Sequence, residues 1–176
     1  MAEAKRLVLV GFMGAGKSTV GPLVAARLRW QFLDMDTRLE ERLGMPVAEV
    51  FSSRGEESFR LEEETVAREL LEREGLVVAA GGGAFARAAT RELLKHNAVT
   101  VFLQCDLETV IRRVPADGRR PLAGNREIMA IRLAERESSY RKADVTVDAS
   151  FGGPDEVADR VVSAVQPRLM GDAPLR

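Results

Sequence analysis

Residues Gly11 to Ser18 read Gly-Phe-Met-Gly-Ala-Gly-Lys-Ser, and this octapeptide restricts the fold more than any other part of the chain. It satisfies the spacing G-x-x-x-x-G-K-[ST]. The apolar run Leu7 to Val10 before it reads as a buried strand, and Val20, Leu23, Val24 and Leu28 after it mark one face of a helix. A glycine-rich turn that binds nothing is the competing explanation, and the strand-loop-helix context argues against it. Glycines at 11, 14 and 16 let the backbone turn tightly, so that successive N–H groups face a triphosphate. Lys17 supplies a cation for the β- and γ-phosphates, Ser18 is the expected Mg²⁺ ligand, and the helix start offers its positive end to the anion. The expected nucleotide contacts run through Gly14, Ala15, Gly16, Lys17, Ser18 and Thr19.

With 176 residues, 45% of them apolar and 30% charged, the chain has the composition of a soluble globular protein. We expect one domain, 1–176, with a sizeable core. A net charge of −1 gives no basic field for nucleic acid or an anionic membrane. The single cysteine, Cys105, excludes an internal disulfide and a multi-cysteine metal site, and its context places it at a strand end. His96 is also alone and reads as a surface or helix-end residue. The stretch Leu76 to Ala86 is too short and glycine-rich to span a bilayer, so a cytoplasmic location is expected.

Further along, periodicity predicts helix over Lys17 to Arg29, a short strand Gln31 to Leu33, and helical pattern over Thr37 to Leu43 and from Pro46 through Phe51. A long helix follows from Gly55 to Glu74, with Phe59, Val66, Leu70 and Leu71 inward. Leu76 to Ala80 is a fully buried strand. Helix Ala86 to Lys95, strand Ala98 to Leu103 and helix Leu107 to Val114 repeat the alternation. After the segment Pro115 to Asn125 come helix Arg126 to Lys142, strand Val145 to Val147 and helix Asp155 to Val165. The tail 167–176 is expected to be frayed. The alternation predicts an α/β three-layer sandwich around a parallel sheet of about five strands, with ligands at the carboxyl ends of the strands.

Three strand ends should therefore gather on one rim. Asp34 and Asp36, just past the second strand, can hold a metal through water or orient an acceptor hydroxyl; the plainer role is capping the next helix. Gly81, Gly82 and Gly83 allow a small ligand to approach the backbone. Arg60 alone reads as a solvated partner of Glu56 or Glu64. Arg119-Arg120-Pro121 in the 115–125 segment could form a lid that excludes water and meets transition-state charge.

Taken together, Asp-Met-Asp at 34–36, Gly-Glu-Glu-Ser-Phe-Arg at 55–60, the glycine triplet, Arg-Pro-Leu at 120–122 and Arg-Glu-Ser-Ser-Tyr at 136–140 resemble shikimate kinase from about Leu7 to Val165. The resemblance implies ATP-dependent phosphorylation of the 3-hydroxyl of shikimate, with Mg²⁺, by a P-loop kinase fold acting as a monomer. It implies that Asp36 holds substrate hydroxyls and that Asp34 lies near Mg²⁺ and acceptor. Arg60 and Arg136 would bind the substrate carboxylate with backbone at Gly82. Arg120 would be the lid arginine on the phosphates, and Arg113 and the loop around Pro154 would surround adenine. Two departures stand out: Ser138 where the family commonly has proline, and Ala80 where it often has Thr or Ser. Other kinases of the superfamily, for gluconate or nucleoside monophosphates, and a non-catalytic nucleotide switch are the alternative readings.

Overall fold

The computed structural model describes residues 5–114 and 125–170. Five strands, β1 (Arg6–Val10), β2 (Gln31–Asp34), β3 (Leu76–Ala79), β4 (Val99–Gln104) and β5 (Val145–Asp148), form one parallel sheet in the order β2-β3-β1-β4-β5. β1 pairs with β3 and β4, with Val8 opposite Val78 on one side and Thr100 on the other. This central strand is buried on both faces, which explains its unbroken apolar sequence. The chain leaves β1 for the β2 edge, returns to β3, and then crosses β1 to reach β4 and β5. The loops after β1 and β3 thus lie side by side at the carboxyl rim, where α/β sheets hold their ligands.

Seven helices complete the described architecture: α1 (Lys17–Leu28), α2 (Met35–Leu43), α3 (Val47–Leu71), α4 (Ala88–Asn97), α5 (Leu107–Arg113), α6 (Arg126–Tyr140) and α7 (Pro154–Leu169). α1 and α7 pack together on one face of the sheet, and α4 with α3 against it covers the other. The core is continuous through the sheet, from Val24, Val161 and Val165 on one side to Phe59, Val66 and Phe85 on the other. No helix among the described residues is long and apolar enough to cross a membrane.

Several boundaries differ from the periodicity reading for local reasons. α2 starts at Met35 rather than Thr37, because the Asp34 side chain accepts from the Asp36 N–H and caps the helix there. α3 consists of two arms meeting at Gly55, whose φ of 80° no helix interior accepts. It stops at Leu71 rather than Glu74, and a turn containing Gly75 leads into β3. A 3₁₀ turn, Ala84–Ala86, intervenes before α4. α7 continues through Pro167 to Leu169; a proline in the last turn removes only one late N–H donor. The remainder of the expected tail, 171–176, and all of the expected lid segment 115–125 except Asn125, which caps α6, lie outside the described residues.

Candidate active site

The loop after β1 turns as its glycines require. Gly16 is left-handed at φ 101° and is the N-cap of α1, so the chain enters the helix directly from the loop with its N–H groups facing the rim. The Lys17 ammonium lies across the loop, with Nζ donating to the carbonyls of Gly11 at 2.7 Å and Phe12 at 2.9 Å. Ser18 and Thr19, in the first turn, are exposed.

Asp34 serves two purposes with its two oxygens. Oδ1 accepts the Asp36 N–H at 3.0 Å, starting α2, while Oδ2 accepts the Ser18 hydroxyl at 2.6 Å. The capping role is therefore present, and the second oxygen of the same carboxylate meets the Ser18 side chain. Asp36, in the first turn of the helix, is aimed at the end of β3: its Oδ1 lies 2.8 Å from where a Cβ on Gly81 would stand.

Arg60 is not the solvated surface residue that its helix position alone suggests. Its side chain is 14% exposed, and Nη1 donates to Glu63 Oε2 at 2.8 Å. The expected pairing with Glu56 is also present, at 3.4 Å, whereas Glu64 pairs instead with Arg68. The guanidinium carbon lies 5.1 Å from the Phe59 ring centroid and 5.7 Å from that of Phe51, within cation–π range. Its far side faces Gly83, where a Cβ would come within 2.5 Å of Nη2. Arg60 is thus fixed by two rings and a carboxylate, and glycine at 83 leaves room for it.

Glu63, only 1% exposed, was not singled out by the sequence reading. Its carboxylate sits among Arg60, Asp36 and Arg136, and Oε1 lies 2.9 Å from the Cβ position of Gly81. Burial pushes its pKa above the ordinary carboxylate range, the Arg60 guanidinium pulls it back, and the Asp36 charge raises it further. The signal for it was available in the register. Phe59, Glu63, Val66 and Leu70 occupy one stripe at spacings of three and four, and an acid in a buried stripe needs a partner.

Arg136 reaches the same place from α6. Its Nη1 lies 3.7 Å from the Cβ position of Gly82, and that point is also 3.7 Å from the Met13 N and 3.8 Å from the Gly11 carbonyl in the phosphate loop. The guanidinium carbon is 5.9 Å from the Phe12 ring centroid. One turn later the buried Tyr140 hydroxyl donates to the Gly82 carbonyl, and its ring stacks on Phe102. Burial drives the Tyr140 pKa up to about 12, with Arg136 opposing, so the phenol keeps its proton and remains a donor. α6 runs unbroken through Ser138, so the departure from proline there leaves Arg136 facing the glycine triplet. Ala80 is buried at the end of β3 with its N–H bound to the Leu9 carbonyl.

Each glycine of the triplet consequently abuts a different charged side chain: Gly81 meets Asp36 and Glu63, Gly82 meets Arg136, and Gly83 meets Arg60. Beside them opens a cavity of about 590 Å³ bordered by Arg60, Gly83 and Arg136. At the other end of the rim, α5 packs on the phosphate loop: a Cβ on Gly14 would meet Val114 and the Val110 carbonyl. Arg113 closes α5 with Nη1 3.7 Å from the Cys105 sulfur, and burial raises the Cys105 thiol pKa. Pro154 opens α7 after the loop whose Ser150 hydroxyl accepts the Asp106 N–H beside α5. Arg120 lies outside the described residues.

A phosphate loop after the central strand, with paired aspartates and two guanidiniums converging beside it, defines the class of P-loop small-molecule kinases. The shikimate kinase family model matches residues 13–166. A shikimate kinase of Nitrobacter winogradskyi is 43% identical over 94% of this chain and 78% of its own length. One of Moorella thermoacetica is 44% identical over 91% and 94%. The structure of shikimate kinase from Acinetobacter baumannii in complex with shikimate superposes with a TM-score of 0.86 at 35% identity, covering 90% of this chain and 91% of that one. A gluconokinase from Sinorhizobium meliloti shares the fold, with a TM-score of 0.63 at 18% identity. The chain belongs to the shikimate kinase family.

Proposed function

We propose that the chain carries out its family's reaction, moving the γ-phosphoryl group of ATP to the 3-hydroxyl of shikimate, with the residues gathered on this rim in distinct roles. The loop amides of Gly14 to Thr19 and the Lys17 ammonium hold the triphosphate, while Arg113 and the loop at Pro154 border the adenine. Arg60 and Arg136 hold the substrate carboxylate, with the backbone of Gly81, Gly82 and Gly83 alongside, and Asp36 holds its ring hydroxyls. Planar guanidiniums at one end and a carboxylate at the other suit a cyclic polyhydroxy acid. Asp34 orients the acceptor hydroxyl toward the phosphate, and Arg120 meets the transferring group from the lid segment. Positioning and charge neutralisation supply most of the acceleration.

The donor set at Ser18 and Asp34 fits a hard divalent cation, since two oxygens converge 2.6 Å apart beside the phosphate loop. Ser18 would hold Mg²⁺ directly and Asp34 through water. When bound, the ion neutralises charge developing between the β- and γ-phosphates.

The observation that carries this reading is the meeting of Arg136 and the phosphate loop at Gly82, with Arg60 one glycine away. A gluconate acceptor also has a carboxylate, so substrate choice is tested directly. ATP turnover with shikimate, gluconate and AMP in parallel should be substantial with shikimate alone. In calorimetry, Arg60→Ala should weaken shikimate binding by at least about thirtyfold and leave ATP binding within about twofold. Equal shikimate affinity in wild type and variant would overturn the carboxylate assignment.

A further inference from the structure

Four guanidiniums border the 590 Å³ cavity: Arg60, Arg87, Arg132 and Arg136. Three have partners. Arg60 is held by Glu63 and Glu56, Arg132 pairs with Glu135 at 3.1 Å, and Arg136 lies over Phe12 beside Tyr140. The Arg87 side chain makes no hydrogen bond or ion pair among the described residues, although it is only partly exposed. It is also badly placed for stability. Arg87 is the N-cap of α4 and gives no side-chain cap, and the helix dipole opposes a cation there.

The position of Arg87 is nevertheless well defined. Arg91, 8% exposed and one turn later, donates to the carbonyls of Phe85 and Ala86 at 3.3 Å each. This ties the start of α4 to the 3₁₀ turn that follows the glycine triplet. Three acids, Glu56, Glu57 and Glu135, border the same cavity. Their charge repels an arriving carboxylate, and two of them are already engaged with Arg60 and Arg132. An uncommitted cation on the wall of a cavity that receives an anion acts on encounter and on the weakly bound state.

We propose that Arg87 is a third carboxylate-recognition residue, drawing the acid group of shikimate into the cavity and toward Arg60 and Arg136. This rests on the reading of the cavity as the shikimate site. It predicts a KM effect that depends on charge rather than on packing, and specific to one substrate.

The test compares Arg87→Ala, Arg87→Lys and Arg60→Ala with wild type at low and high ionic strength. Arg87→Ala should raise KM for shikimate roughly fivefold at low salt, with kcat and KM for ATP unchanged. Arg87→Lys should restore most of the loss, and high salt should shrink the gap. Shikimate methyl ester, which lacks the negative charge, should bind wild type and Arg87→Ala alike. A KM for shikimate within twofold of wild type at low salt overturns the proposal, as does an equal rise for the ester or for ATP. If Arg60→Ala also leaves shikimate KM unchanged, the assignment of the cavity itself fails; if only Arg87→Ala does, the third recognition residue alone is lost.

Discussion

The two halves of the rim are built by opposite means. The proposed phosphate side is a single run of backbone, Gly11 to Thr19, which offers main-chain amides and one ammonium. The proposed acceptor side is assembled from side chains on α2, α3 and α6, converging on three glycines after β3. The first half is fixed once a strand, a turn and a helix form in succession. The second exists only after the sheet brings residues 36, 60, 63, 82 and 136 together. On the proposed assignment, local geometry specifies a site for a common anion, whereas selecting a particular small acid takes the whole fold.

Substitutions at the two halves should fail differently. The largest effect is expected at Lys17: Lys17→Met should lower kcat by about a thousandfold while shikimate affinity, read by calorimetry without nucleotide, stays within about threefold. If shikimate affinity falls in parallel, the halves are not separable. An intermediate effect is expected at Glu63, which fixes Arg60. Because burial raises its pKa, Glu63 takes up a proton at a higher pH than an exposed glutamate does, and its hold on Arg60 is lost as the solution is acidified. KM for shikimate should therefore rise on acidification, beginning at a higher pH than an exposed glutamate would set, while KM for ATP stays flat. Glu63→Gln should raise the neutral-pH KM about tenfold and abolish that slope. A slope that persists in Glu63→Gln would assign it to another group. The smallest effect is expected at Gly83→Ala. The added Cβ meets the guanidinium end of a flexible side chain rather than backbone, so Arg60 can give way, and KM for shikimate should rise about threefold with little change in melting temperature. A loss of folding instead would mean that the glycine serves the chain turn more than the arginine.

The same contrast explains what the sequence made legible. The parallel sheet, its strands and the phosphate loop follow from apolar runs and glycine spacing, both short-range properties, and the structure contains each of them. Arg60 is different: an arginine on a charged helix has a surface reading as good as any other, and only resemblance to a family raised it. Its burial depends on Phe51 across the Gly55 break, on Phe59 and on Glu63, none of which a periodicity argument couples. Glu63 went unread because it lies in the run Glu62-Glu63-Glu64, where composition suggests a solvated face; its place in the stripe with Phe59, Val66 and Leu70 carried the contrary information. The start of α2 shifted by two residues for a similar reason, since a cap is visible only when the aspartate is known to face back on its own helix.

Asp34 leaves a practical lesson for anyone redesigning this enzyme. One oxygen begins a helix and the other accepts the Ser18 hydroxyl, so architecture and the chemistry proposed for Asp34 share a single functional group. Truncation there would blur the two, because whatever activity disappeared would be mixed with a frayed α2. Asparagine, which starts helices about as well as aspartate, keeps the scaffold and removes the charge, and is the exchange that lets the two debts be read apart.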